Sequence, residues 1–273
     1  MLARAILATL ALMAPLGALA GPERVVSMNL CTDQLAMMVG PEQLISVSYL
    51  AHDPRSSAMT EEAAAYPANR GLAEEVFLLE PDLVIAGTFT TRATVDMLKR
   101  LGIRVVEFAP ANNLDDIRDR IRHMGDLMDR ADRAEALIAR FDADLAALQT
   151  KGDLRPRAAT YYANGYTSGT GTLADSVIEA AGLANIADEA GLAGGGYLAL
   201  ESLVMADPDL LITGRPFDNP ALADTVLAHP ALAAIQAEAG AAPVADRDWV
   251  CGTPHVIAAI RRLAAARDAV LPR

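Results

Sequence analysis

The stretch Glu74 to Gly87, EEVFLLEPDLVIAG, decides how the chain is read, because it returns as Glu201 to Gly214, ESLVMADPDLLITG, at a constant offset of 127. Six of the fourteen positions are identical: Glu74/Glu201, Pro81/Pro208, Asp82/Asp209, Leu83/Leu210, Ile85/Ile212 and Gly87/Gly214. Each copy reads as a short amphipathic helix stopped at Pro, an Asp that opens a turn, and an aliphatic run ending in Gly, the pattern of a central strand buried on both faces. A weaker echo sets Asp33–Gly40 against Asp175–Gly182. Two copies of one helix-strand joint predict two related lobes.

Working outward, short aliphatic runs alternate with helical periodicity, which is the signature of stacked βα units and mostly parallel sheets. Strands are predicted at Arg24–Ser27, Leu44–Ser48, Leu83–Ala86 and Ile103–Phe108, with a helix capped by Thr32 and ended by Gly40 between the first two. Apolar residues at Leu114, Ile117, Ile121, Met124 and Met128, then at Leu137, Ile138, Phe141, Leu145 and Leu148, predict helical segments closed by Gly152 and Pro156. The second of these, about 30 Å long, is a stiff connector between lobes. The fold class is therefore α/β: two Rossmann-like lobes with mostly parallel sheets, joined by one long helix, with a cleft between them. The expected organisation is residues 1–20 as a signal peptide, 21–112 as the first lobe, 113–152 as the helical segment, and 153–273 as the second lobe.

The signal peptide is read from Arg4, the apolar run Ala5 to Leu16, and small residues at Ala18 and Ala20, which fit cleavage after Ala20. No cysteine lies near that point, so no lipid anchor is expected. Composition sharpens the class. The chain of 273 residues carries a formal charge of −12 and is 52% hydrophobic, which excludes disorder and disfavours nucleic acid as a partner. Cys31 and Cys251 are the two cysteines. In an exported chain they are either a disulfide tying the start to the end or two separate thiols.

Together with the echo, Asn29-Leu-Cys-Thr-Asp-Gln-Leu35 and Asp248-Trp249 ahead of Pro254 give a pattern that resembles the helical-backbone periplasmic substrate-binding proteins of ABC importers, the binders of ferric siderophores, cobalamin and haem. The resemblance spans roughly Glu23 to Leu271. It implies a monomeric periplasmic binder, not an enzyme and without a cofactor of its own, that hands a ferric siderophore or corrinoid-type ligand to an ABC permease dimer. It also implies that Glu74 and Glu201, one on each lobe, dock into arginine pockets of that dimer, and that Tyr166 and Trp249 contact ligand.

Ligands of open α/β sheets bind beyond the carboxyl ends of the strands. That rule selects Asn29, Tyr49, His52, Asn69, Arg70, Thr88, Phe89 and Arg92 in the first lobe, and Tyr162, Tyr166, Tyr197, Arg215, Phe217 and Trp249 in the second. The binding set is Asn29, Tyr49, Arg70, Arg92, Tyr166, Arg215 and Trp249. Where the cobalamin-binding members have Trp-Gln-Gly, this chain has Ala68-Asn69-Arg70, and where they have a second Trp it has Gly194 to Gly196. The arginines Arg55, Arg70, Arg92 and Arg215 suit an anionic ferric chelate, while cobalamin or haem is the alternative, the latter through Tyr166 or His255. With His123 and His229 placed on helices, direct metal binding is not expected. A different class remains open: Ser168-Gly-Thr-Gly171 is similar to a phosphate-cradling loop of a cleft enzyme.

Overall fold

The structure, a computed structural model, describes residues 21–149, 154–215, 219 and 221–271. The signal peptide, Gly152 and Phe217 lie outside them. The first lobe runs β1 (Val25–Ser27), α1 (Leu30–Val39), β2 (Leu44–Ser48), α2 (Thr60–Ala63), β3 (Ala68–Asn69), α3 (Ala73–Leu78), β4 (Leu83–Gly87), α4 (Arg92–Arg100) and β5 (Val105–Phe108). Its strands are all parallel, in the order β3-β2-β1-β4-β5. Helices α5 (Leu114–Leu127) and α6 (Ala131–Leu148) then lead to the second lobe.

That lobe contains β6 (Arg157–Thr160), β7 (Tyr166–Ser168), α7 (Leu173–Ala180), β8 (Ala184–Asn185), α8 (Ile186–Glu189), β9 (Gly195–Tyr197), α9 (Leu200–Ala206), β10 (Leu210–Thr213), α10 (Pro230–Glu238), β11 (Gly240–Pro243) and α11 (Val256–Val270). Its parallel sheet has the order β11-β10-β6-β8, which is the first sheet's order without one edge strand. β7 and β9 form a separate antiparallel ribbon.

The echoed joint folds the same way twice. Helices α3 and α9 are each followed by a residue in the left-handed region, Glu80 at φ 47° and Asp207 at φ 44°, just ahead of a proline that bars a further helical turn. An arginine at the start of the neighbouring strand captures the carbonyls this frees: Arg24 donates to Leu79 and Glu80 at 2.6 and 3.0 Å, and Arg157 to Ala206 and Asp207 at 2.7 and 3.2 Å. The echoed aspartates accept the backbone N–H of those arginines, at 3.1 Å for Asp82 and 2.7 Å for Asp209. Packing repeats as well. Leu83 and Ile85, like Leu210 and Ile212, enter one core shared by both lobes, whereas Val84 and Leu211 turn to the outer layers that also hold Val76 and Leu203.

The shared core runs from α1 through Ile117, Ile121 and Phe141 on α5 and α6 to Ile257 and Ile260 on α11. Gly125 on α5 sits so close to Ala134 on α6 that a Cβ there would lie 2.5 Å from the alanine methyl, which fixes the angle between the two helices. A continuous core leaves the lobes little freedom to swing apart.

One local expectation is corrected. Asn29, not Thr32, caps α1: its Oδ1 accepts from Cys31 and Thr32 N–H at 3.0 and 3.4 Å. Thr32 lies inside the helix, its hydroxyl donating to the Asn29 carbonyl at 2.9 Å. The Gly194–Gly196 run, read as the place of a missing Trp, supplies β9, and a Cβ at Gly195 would collide with the Tyr166 hydroxyl. Glycine there is what lets the Tyr166 ring lie across the ribbon.

Candidate functional site

Parallel strands send their chain ends to one edge of each sheet, and the strand order sets the row of side chains found there. Along the first lobe's edge the sequence candidates stand as Arg70 after β3, Tyr49 after β2, Asn29 after β1, and Thr88 and Phe89 after β4, with Arg92 opening α4. Tyr49 and Phe89 present exposed rings. Arg70 is exposed; its backbone N–H is held by Glu75 at 2.8 Å, and its guanidinium has no hydrogen-bond partner among the described residues. Arg92 pairs with Glu107 at 3.0 Å, a carboxylate that Lys99 at 2.7 Å, and then Arg92, hold below its usual range. The Arg92 side chain is largely in water, so this pair is weak and exchangeable with an incoming anion. Asn29 commits its carbonyl oxygen to the α1 cap, and a Cβ at Gly87 would stand 3.0 Å from its Nδ2. Asn29, Gly87, Thr88, Phe89 and Arg120, with Val250 and Gly252 from the second lobe, line a hollow of about 200 Å³.

In the second lobe Tyr166 lies opposite Tyr197 on the β7–β9 ribbon, their rings 6.0 Å apart edge to face, with Tyr162 a further 6.5 Å from Tyr166. Tyr197 is 72% exposed, so the ribbon offers an aromatic platform that sequence patterning alone did not bring together. Arg215 follows β10 and is exposed. Between the ends of β6 and β10 opens a cavity of about 480 Å³ lined by Tyr162, Gly214, Arg215, Leu232 and Asp246 among others. Burial pushes the Tyr162 hydroxyl and the Asp246 carboxyl above their usual ranges, Asp246 being partly restrained by the positive charge of Arg55.

The lobes meet beside this cavity. Arg55 reaches from the loop after β2 to the Arg215 carbonyl at 2.8 Å, and Arg247 to the Pro54 carbonyl at 3.4 Å. That loop is held in shape by Asp53, which accepts from Arg55 N–H at 3.0 Å and from Ser56 at 2.7 Å. Below, Cys31 at the start of α1 is bonded to Cys251 ahead of α11, with Cα atoms 5.1 Å apart. Lower still, Thr253 lies 3.4 Å from Gln34.

Several sequence candidates do other work. Trp249, expected to stack on ligand, is 8% exposed and belongs to the shared core, because the disulfide draws its loop down against α1. Asn69 is buried and its amide supports Ser27, Ser46 and Val47, each at 2.9 Å. His52 and His255 each keep a buried Nε2 without a partner, and burial lowers the His255 pKa. Among the described residues no group of three or more His, Cys, Asp or Glu side chains could hold a metal ion. The Ser168–Gly171 segment is no anion cradle. Its four N–H groups are taken by Thr160, Gly194, Leu192 and Asp175.

Glu74 and Glu201 occupy the same place in α3 and α9, exposed in the first turn. Four positions on, each helix holds out an unpacked apolar side chain, Leu78 at 79% and Met205 at 86% exposure. No helix among the described residues is long and apolar enough to cross a membrane.

Comparison with known proteins agrees with this geometry. The sequence pattern of the family described as periplasmic binding protein matches residues 25–240. A cobalamin-binding protein of Halobacterium salinarum is 31% identical over 205 residues, which cover 72% of this chain and 55% of the relative, so the chain spans about half the length of that protein. Among solved structures, the apo periplasmic heme-binding protein RhuT of Roseiflexus sp. RS-1 superposes with a TM-score of 0.76 at 26% identity, over 92% of this chain and 100% of that one. The heme-binding protein HutB of Vibrio cholerae has the same fold, with a TM-score of 0.73 at 21% identity over 91% and 99% of the two chains.

Proposed function

The chain belongs to the periplasmic binding protein family, and from that premise we propose that it is the substrate-binding component of an ABC importer, capturing a ferric siderophore or related iron or cobalt chelate between its lobes and delivering it to the permease. The observation that carries this reading is the pair of pseudo-equivalent sheet edges that meet at the Arg55–Arg215 contact, with exposed aromatics and arginines on both: Tyr49, Phe89 and Arg70 on one, Tyr166, Tyr197 and Arg215 on the other. Aromatic faces suit the flat apolar rim of a chelate, and guanidinium groups suit its peripheral anions. A corrinoid or haem is the second reading, favoured by likeness to the Halobacterium cobalamin-binding protein and to RhuT. With Trp249 in the core and Asn69 buried, stacking on such a ring would fall to the four exposed aromatics.

Delivery rests on Glu74 and Glu201. Two like carboxylates, each beside an outward apolar side chain, fit a two-fold partner carrying arginine pockets, where charge-assisted pairs fix register and Leu78 and Met205 add apolar contact. Export by a signal peptide cleaved after Ala20 agrees with the Cys31–Cys251 bond, since disulfides persist in oxidising compartments. The test is uptake in cells lacking the chromosomal copy: Glu74→Lys with Glu201→Lys should abolish accumulation of the chelate while purified protein binds it with unchanged affinity. Normal uptake by the double variant would overturn the docking assignment.

A further inference from the structure

The second-lobe cavity has a chemistry that the expectation of an anionic ligand does not explain. At about 480 Å³ it exceeds the hollow of about 200 Å³ beside Asn29 and Phe89 and falls within the usual range of small-molecule sites. Its walls at Leu227 and Leu232 are apolar, but Tyr162 and Asp246 converge over Gly214, where a single added Cβ would lie 3.8 Å from both Asp246 Oδ1 and the Tyr162 ring.

Both polar groups are open to a ligand. Among the described residues neither the Asp246 carboxylate nor the Tyr162 hydroxyl makes a hydrogen bond. The other carboxylate of the lining, Asp224, already accepts from Ala221 N–H at 2.7 Å. A ligand donor here would take the place of water on an accessible carboxylate. Arg215 also lines the cavity, so an anionic end of a ligand would turn to it rather than to Asp246, and an inorganic cation would find too few free oxygens.

We infer that this cavity takes a hydrogen-bond-donor arm of the ligand, an ammonium or a primary amide on a short aliphatic stem, with Asp246 as acceptor and Tyr162 as its companion. The stem lies against Leu227 and Leu232, and the body of the chelate stays outside, toward Arg55 and Arg215. This rests on the cleft being the ligand site, and it names which chelates the cleft prefers: those carrying N–H arms over those carrying only carboxylates.

The test uses fragments, so that it stands apart from the identity of the whole ligand. Propylammonium, propionamide and propionate are titrated into the oxidised mature protein by NMR, and each is soaked into crystals to locate it. The expected result is occupancy beside Asp246 by propylammonium or propionamide, at least tenfold tighter than propionate. Preference for propylammonium assigns a charged arm, and equal binding of the two assigns an amide. Asp246→Asn should weaken propylammonium at least tenfold, and Tyr162→Phe should weaken both donors by a smaller factor. Propionate binding as tightly as the others, or no fragment in the cavity, would overturn the inference. The wild-type ranking holds whether or not the variants fold. Fragments that enter a protein which binds no chelate would leave this inference standing and remove the cleft reading, and the converse result would do the opposite.

Discussion

Reducing or deleting the Cys31–Cys251 bond should destabilise the protein far more than any exposed contact in it. The bond closes a loop across 220 positions of sequence. Chain-entropy arguments assign a constraint of that size about 5 kcal/mol at 25 °C, since the contribution grows only with the logarithm of loop length. For a chain of this size each kcal/mol shifts the midpoint by roughly 2 to 4 °C, so a fall of about 10 to 20 °C is expected. The shared core keeps unfolding of the two lobes coupled, and a single transition is expected before and after reduction. Differential scanning calorimetry of oxidised protein, of protein held in reductant, and of Cys31→Ser with Cys251→Ser measures it, with intact mass after alkylation confirming the thiol state. A midpoint within about 2 °C across the three samples would refute the reasoning, as would two alkylated cysteines in protein never exposed to reductant.

Asp33, deep in the first lobe, is raised from 3.8 to about 7 chiefly by burial, opposed by the hydrogen bonds it accepts from Ser48 and by the polar Ser27 beside it. The folded state thus holds a proton that the unfolded state releases, so this group's contribution is greatest below about pH 4 and declines as pH rises toward 7, by up to about 4 kcal/mol. Asp33→Asn should flatten that decline relative to wild type in urea unfolding at pH 4.5, 6 and 8; an identical pH dependence would argue against a neutral Asp33. Replacing Leu78 and Met205 by Ser should lower permease-dependent uptake severalfold while leaving thermal stability within about 0.5 kcal/mol, because both side chains are already in water; unchanged uptake would confine docking to the glutamates. Gly125→Ala should cost about 1 to 3 kcal/mol by wedging α5 from α6, read as a lowered denaturation midpoint; a neutral result would show that the helix pair can shift.

The paired joints were legible in the sequence because one physical constraint produced both. A proline forces the helix to stop, the residue before it stands left-handed in both copies, and the aspartate after it anchors the next strand, so Glu80-Pro81-Asp82 and Asp207-Pro208-Asp209 fold alike. Tyr49, Arg70 and Arg215 follow β2, β3 and β10, where the strand-end rule looks, while Tyr166 opens the β7–β9 ribbon. What stayed hidden depended on contacts distant in sequence. Trp249 looked like a loop residue, and only the covalent link to α1 shows why its loop is pulled into the core. Two cap-competent residues stood at Asn29 and Thr32, and the extended backbone at Asn29, φ −145° and ψ 134°, decided between them. The β7–β9 ribbon escaped because Gly195 and Gly196 have low strand propensity; its signal was the need for empty space beside a tyrosine. Asp246 gave no signal beyond following the last strand, which is where a cavity between β6 and β10 must be closed.

The central claim is capture between the lobes, and calorimetric titration tests it most directly. Oxidised mature protein is titrated with a panel of ferric siderophores, cobalamin and haem, beside a variant carrying Tyr166→Ala and Arg215→Ala. The account predicts one ligand per protein, no product formed on prolonged incubation, and affinity lowered at least tenfold in the variant. Absence of binding across the panel, or equal affinity in the variant, would contradict it.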